Sequence, residues 1–250
     1  MDTPKYSYPP GLLAAFARDL FLGRRRDFHQ DAQGCIARLA PSLHILGSEH
    51  IPHTGPCVIT VNHYHREGFG AQWLALAIAS LVPVRMHWVI TGEFTYPGKW
   101  YERFGGVSSQ FLLKRIANIY DFTNMPPMPP RQKDVAERAA SVRAVLDAVK
   151  RVESPVLGLA PEGRDLPGGV LTRPFPGVGR FGLLLSRAGL SHCPVGAYEM
   201  DGCLHIHFGQ AYELRVPPGL SPDEKDRQAS QVIMENIARL LPAHLRGEIA

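Results

Sequence analysis

Residues 57–61, Cys-Val-Ile-Thr-Val, form an apolar run interrupted by one hydroxyl, and Asn62-His63-Tyr64-His65-Arg66-Glu67 follow at once. A short run of this composition reads as a buried strand. Similar runs recur as "LHILG" (43–47), "VRMHWVIT" (84–91), "PVLGLA" (155–160), "CPVGAYEM" (193–200) and "CLHIHFG" (203–209). Helical patterns alternate with them. "EGFGAQWLALAIASLV" (67–82) is an apolar helix, and "VGRFGLLLSRAGL" (178–190) reads as a helix despite Gly179 and Gly182. Over 131–152, Val135, Ala139, Val142, Leu146 and Val149 step by four and three, with charges on the other side. The segment from Ser221 carries Pro222 at the first helical position and Glu224 two residues later, a capped helix start. Strands alternating with helices predict an α/β fold, a central sheet flanked by helices. Asp201-Gly202 is a two-residue hairpin signal between the last two strands, so the sheet should be mixed. Short helices are expected over 97–120, and an extended loop over the proline-rich 124–131.

The first apolar segment, "GLLAAFARDLFLG", places Leu12, Leu13, Phe16 and Leu20 at helical spacing, with Arg24, Arg25 and Arg26 just beyond. Two readings are open for this N-terminal amphipathic helix. It packs on the domain, or it lies in a membrane interface with its arginines near anionic head groups. Residues 1–40 are accordingly read as an N-terminal helical segment and 41–250 as the α/β domain. No signal peptide is expected, because Arg18-Asp19 breaks the apolar stretch. No spanning helix is expected either, since the best candidate, Trp73 to Val84, is too short and interrupted by Ser80 and Pro83.

A net charge of +4, from 27 basic and 23 acidic residues, is too small a surplus to argue for nucleic acid. The cysteines, Cys35, Cys57, Cys193 and Cys203, form no C-x-x-C pair, which favours a reducing compartment over a disulfide framework.

In α/β sheets, chemistry gathers at the carboxyl ends of strands. Two such ends are rich in polar groups: 62–67, and Pro161-Glu162-Gly163-Arg164-Asp165. A helix starting near Asn62 would put His63 and Glu67 on one face, four residues apart. A carboxylate on one imidazole nitrogen leaves the other to take a proton from a hydroxyl. The plainer reading makes Glu67 a solvated first-turn acid. Neither a serine nor a cysteine nucleophile accompanies the pair, and no G-x-S-x-G occurs, so direct attack by a substrate hydroxyl is the chemistry implied. His63-x-His65 and His205-x-His207 offer a weaker, metal-ligating alternative. Glu162-Gly163-Arg164 is either an ordinary loop with an Arg164–Asp165 ion pair or an anion clamp, with arginine presenting its fork to phosphate.

Taken together, "GSEHIPHTGPCVITVNHYHRE", "LAPEGRD" and "CPVGAYE" resemble the glycerolipid acyltransferases of the lysophosphatidate acyltransferase type, in order and approximate spacing, over roughly residues 43–200. That family has a strand ending in Asn-His, then an aspartate five residues after the histidine. Further on come Pro-Glu-Gly-Thr-Arg and a Val-Pro-Val-like strand. Here the aspartate position holds Gly68, with Glu67 one residue early. The threonine is missing, so Arg164 also sits one position early, and Arg131 is the nearest match to the family's intermediate arginine.

The resemblance implies transfer of a fatty acyl group from acyl-CoA or acyl carrier protein to a hydroxyl of a (lyso)phospholipid-like acceptor. His63 would be the general base and Glu67 its orienting acid. Asn62, Glu162 and Gly163 would shape the acceptor site, Arg131 and Arg164 would meet its phosphate, and the helix at 71–82 and strand at 85–91 would wall the acyl groove. No cofactor and no metal would be needed. The protein would sit in the cytoplasm, peripheral to the inner face of the membrane. A non-catalytic lipid-binding protein on the same fold is the first rival, and a metal-dependent hydrolase built on the His-x-His dyads the second.

Overall fold

The structure, a computed structural model, describes residues 4–94, 102–129, 131–164 and 168–249. The strands are β1 (His44–Leu46), β2 (Cys57–Val61), β3 (Met86–Thr91), β4 (Thr123–Met125), β5 (Val156–Leu159), β6 (Ser191–Met200) and β7 (Cys203–Phe208). They form one sheet in the order β1-β7-β6-β2-β5-β3-β4. Every pairing is parallel except β6 with β7. That hairpin turns on Asp201 and Gly202, both at positive φ (51° and 73°), the geometry a two-residue turn between twisted strands requires. The sheet is thus mixed and flanked by helices, as the alternation of runs predicted.

β2 lies between β5 and β6 and is buried at every residue. Its alternate side chains serve two cores. Ile59 and Val61 belong to the larger one, with Leu74 and Ile78 of α3 (Gln72–Leu81) and Ile233 and Ile237 of α7 (Pro222–Ala238). Val58 joins Val145 and Val149 of α5 (Val135–Lys150) and Leu185 of α6 (Val178–Arg187) in the smaller. Gly158 of β5 sits between Ile59 and Trp88 in register, and the Trp88 indole lies over it at a distance no Cβ would permit. The capping box at Ser221 and Glu224 forms as predicted.

Three elements depart from the expectations above. The segment before the prolines pairs as β4 on β3, a strand too short to show a pattern. In place of short helices, one helix, α4 (Glu102–Tyr120), spans 19 residues, while part of the expected helical stretch and Pro130 fall outside the described residues. An unpredicted helix, α2 (Phe28–Ile36), is capped by Asp27 and lies against α3, with His29 Nδ1 at 2.7 Å from Ala79 O.

The N-terminal helix α1 (Pro10–Leu22) forms, but the residues expected on one stripe divide. Leu12, Phe16 and Leu20 turn inward, Phe16 stacking on Tyr120 with centroids 6.2 Å apart, while Leu13, Phe21 and Leu22 are exposed. Of the three arginines, Arg26 is not a surface charge. It is bidentate on Asp31 (2.6 and 2.7 Å) and bonded to Asp19 at 2.5 Å, and Tyr120 Oη donates to the same Asp31 carboxylate at 2.6 Å. This network fastens α1 to α2 and α4. Among the described residues no helix is long and apolar enough to cross a membrane, and the four cysteines are unbridged.

Candidate active site

The two polar strand ends singled out in the sequence meet. The register of β2 on β5 aligns Thr60 with Leu159, so the chain leaving β2 at Asn62 runs beside the chain leaving β5 at Ala160. Asn62, 1% exposed, ends the strand with its side chain. Its Nδ2 donates to Ala197 O at 2.8 Å, and its Oδ1 accepts from Ala197 N at 2.7 Å. The amide thereby replaces one more backbone pair on β6 and frees the main chain to leave the sheet. This occupies both polar ends of the Asn62 side chain, in place of the acceptor contact expected of it.

Glu162, 2% exposed, holds the next residue. Its carboxylate accepts from the His63 amide at 2.5 Å, and from the Thr172 amide and hydroxyl at 2.7 and 3.1 Å. Burial pushes the Glu162 carboxyl up, and the three donors and nearby His63 pull it down; burial wins. The carboxylate thus grips His63 through the main chain, a role the sequence reading had not given it.

The expected pairing of His63 with Glu67 on one helical face rests on a helix that does not exist there. Residues 62–70 are irregular, α3 begins only at Gln72, and Glu67 is exposed on a turn where its carbonyl oxygen accepts from Arg66 Nη1 at 2.8 Å. The apolar run that follows drew the helix start too early. Gly68, at the family's aspartate position, has φ 76°, a conformation that an aspartate adopts only with strain.

What pins the 63–67 segment instead is Glu199 near the end of β6. Its carboxylate accepts two bonds from Arg66, from Nε and from Nη2 (2.9 Å), one from Tyr64 Oη (3.3 Å) and one from Tyr6 Oη (2.7 Å). The Arg66 guanidinium lies 5.9 Å from the Tyr6 ring centroid and 6.0 Å from that of Phe69. The Tyr64 hydroxyl is pushed up to about 12, by burial first and then by the Glu199 charge. Tyr6 and Tyr8 pack on Trp73, so the segment before α1 is strapped across the same loop. Neither Glu199, Tyr6 nor Thr172 was singled out in the sequence. An acid ending an otherwise apolar strand was a usable signal for Glu199; Thr172 carries none.

Gly163 adopts φ 64° and sits against Met128, bringing the proline-rich loop to the site. Arg131, expected to meet phosphate, is bonded to Glu93 at 2.9 Å and Asp134 at 2.5 Å, so two carboxylates already oppose its charge. Arg164 is half-buried, 4.8 Å from the Phe175 ring centroid, and among the described residues its head is held by a long bond from Nη2 to Arg173 O (3.4 Å). No described carboxylate pairs with Arg164, and no described acceptor meets its buried Nε; Asp165 lies outside the described residues. Gly169, at φ 67°, lies so close to the Tyr64 ring that a side chain there would collide, and it brings the 168–172 segment over the loop.

The second histidine dyad belongs to the sheet. The His205 ring stacks on Tyr198 with centroids 4.9 Å apart, and His207 Nδ1 lies 3.1 Å from Leu240 O. Among the described residues, no group of three or more His, Cys, Asp or Glu side chains is arranged to hold a metal ion.

No protein-family model matches the sequence, and no curated protein is significantly similar to it. Among solved structures, the 1-acyl-sn-glycerophosphate (LPA) acyltransferase PlsC from Thermotoga maritima superimposes with a TM-score of 0.51 at 14% identity, covering 85% of this chain and 78% of that one. The chain therefore shares its α/β fold, a seven-stranded mixed sheet flanked by helices, with a lysophosphatidate acyltransferase.

Proposed function

We propose that the protein transfers a fatty acyl group from a thioester, acyl-CoA or acyl carrier protein, to a hydroxyl of a lysophospholipid-like acceptor. The observation that carries this reading is the fixed end of β2, where a buried glutamate from the neighbouring strand end holds the main chain of His63. In this reading the imidazole takes the acceptor's proton as its oxygen attacks the thioester carbonyl. The tetrahedral intermediate collapses with cleavage of the C–S bond, and the imidazolium returns the proton to the departing thiolate. Glu67 is proposed to turn in against the ring once acceptor fills the site. Arg164, whose fork lacks a described acid partner, is the residue proposed to hold a phosphate, in place of Arg131. The helix α3 and strand β3 are proposed as walls of the acyl groove. The chemistry requires no cofactor, and the protein would work at the cytoplasmic face of the membrane.

A second reading, lipid binding without catalysis, is favoured by the exposed Glu67 and the strained geometry an acid would meet at Gly68. Release of free CoA from acyl-CoA in the presence of a lysophosphatidate separates the two. The parent protein should release CoA only with acceptor, and His63→Ala should lose about 10²–10⁴-fold in rate with its thermal unfolding unchanged. His65→Ala should cost far less. Acceptor-dependent CoA release that survives His63→Ala would refute the proposed base.

A further inference from the structure

We infer that α4 carries the protein's principal lipid-docking stripe, and that the surface it fits is an anionic bilayer. Phe104, Val107 and Phe111 are three and four residues apart, so they share one face of α4, and they are 77%, 69% and 64% exposed. Such a row of large apolar side chains on one helix is unlike the scattered exposure of ordinary surfaces. Arg115 continues the row. Its guanidinium stands 5.0 Å from the Phe111 ring centroid and donates to Leu20 O and Phe21 O at 2.8 and 2.9 Å. That clamp sets the end of α1 against α4, so Phe21 (81% exposed) and Leu22 extend the same patch. From Phe104 to Arg115 the stripe runs about 16 Å along the helix at about 1.5 Å per residue.

The charge around the patch selects its occupant. Arg18, Arg24, Arg25 and Lys114 are exposed near it, while Asp19 is buried between Arg18 and Arg26, at 2.9 and 2.5 Å, and Asp121 is bonded to Arg25 at 3.4 Å. An apolar strip flanked by exposed cations, with Asp19 and Asp121 already paired, matches a lipid interface with anionic head groups. The stripe expected of α1 alone is largely internal, and α4 supplies what α1 lacks. This rests on the proposed lipid acceptor only for its biological sense; the docking itself needs no catalysis.

Sedimentation with phosphatidylcholine vesicles, with and without phosphatidylglycerol, tests the inference. The parent and His63→Ala should bind the anionic vesicles equally, and added salt should weaken both. The triple variant Phe104→Ser, Val107→Ser, Phe111→Ser, in which exposed side chains change and folding is kept, should lose binding about a hundredfold. Phe111→Trp should bind as the parent does, with the fluorescence of its new indole blue-shifted and quenched by brominated lipid. Retained binding in the triple variant overturns the inference, as does an unshifted, unquenched emission from the Phe111→Trp variant on vesicles. So does a parent that ignores vesicles but forms a dimer that the triple variant abolishes. Vesicle binding without acyl transfer would refute the enzymatic reading and leave this one standing.

Discussion

Glu162→Gln is the substitution in which the logic of the site is most exposed to measurement. The carboxylate accepts three hydrogen bonds in a place 2% open to solvent. Glutamine has one acceptor oxygen where glutamate has two. If that oxygen keeps the His63 amide, the new NH2 group faces the Thr172 amide, donor against donor; turned over, it faces the His63 amide. Either way one backbone N–H loses its partner, which costs about 1–3 kcal/mol, and the NH2 group is itself poorly met. Relief of the buried charge works in the other direction, because burial already raises the Glu162 carboxyl. The net expectation is a loss of about 2 kcal/mol near pH 7, read from urea unfolding. The two effects separate by pH. A carboxyl whose folded-state value is raised binds its proton more tightly in the folded protein, so its contribution to stability falls as pH rises from about 4.5 through that raised value. Glutamine lacks this slope, so the difference between parent and variant should shrink as pH rises through that window. If catalysis runs through His63, the rate should fall at least about a hundredfold in kcat with little change in KM, since the misplacement concerns the base. A variant as stable as the parent, with activity within about threefold, would refute the claim that Glu162 fixes the end of β2 for function.

Glu199→Gln should loosen Arg66 and raise KM and lower kcat together, and the fluorescence of Trp73, beside Tyr6, should report the released strap; unchanged kinetics would reduce the clamp to a structural tie. Glu67→Gln should lower kcat by about tenfold or more if the acid turns in on His63, and do nothing if it stays solvated, with activity as the readout. Gly158→Ala sets a methyl against the rigid Trp88 ring, where the nearest ring atom stands 2.6 Å from the new carbon, and should cost about 1–3 kcal/mol in unfolding free energy. A neutral result there would mean that the indole has somewhere else to go.

The sheet was legible because its strands are apolar runs with punctuation, and Asp201-Gly202 announced its only described antiparallel turn. β4 was not, because three residues hold no period, and neither was α2, whose sequence Phe-His-Gln-Asp-Ala-Gln-Gly-Cys-Ile alternates too little to show a face. At the site, Asn62, His63 and Glu162 could be chosen from their places at strand ends, which topology then brings together. The roles could not. Whether an asparagine meets a ligand or a neighbouring backbone depends on β6, which is distant in sequence. The helix start was misplaced because Glu67-Gly68-Phe69-Gly70 has the look of a first turn, while Gly68 in the left-handed region ends any helix there. Arg131 and Arg164 were indistinguishable as cations until Glu93 and Asp134 were seen to hold the first.

The ties that fix the 62–67 segment are long in sequence. Glu162 reaches His63 across 99 residues, Asn62 meets Ala197 across 135, and Tyr6 reaches Glu199 across 193. On a ribosome adding about 5–20 residues per second, the histidine would wait on the order of ten seconds for its last anchor to emerge. Until then the strap before α1 has its ring contacts with Phe69 and Trp73 but not its carboxylate anchor, and the nascent chain offers apolar strand edges without a finished pocket. Maturation of such a site waits on β6, and a message truncated after β5 would yield a product with all the residues of the first motif but without Glu162, Ala197 and Glu199, which hold them in place.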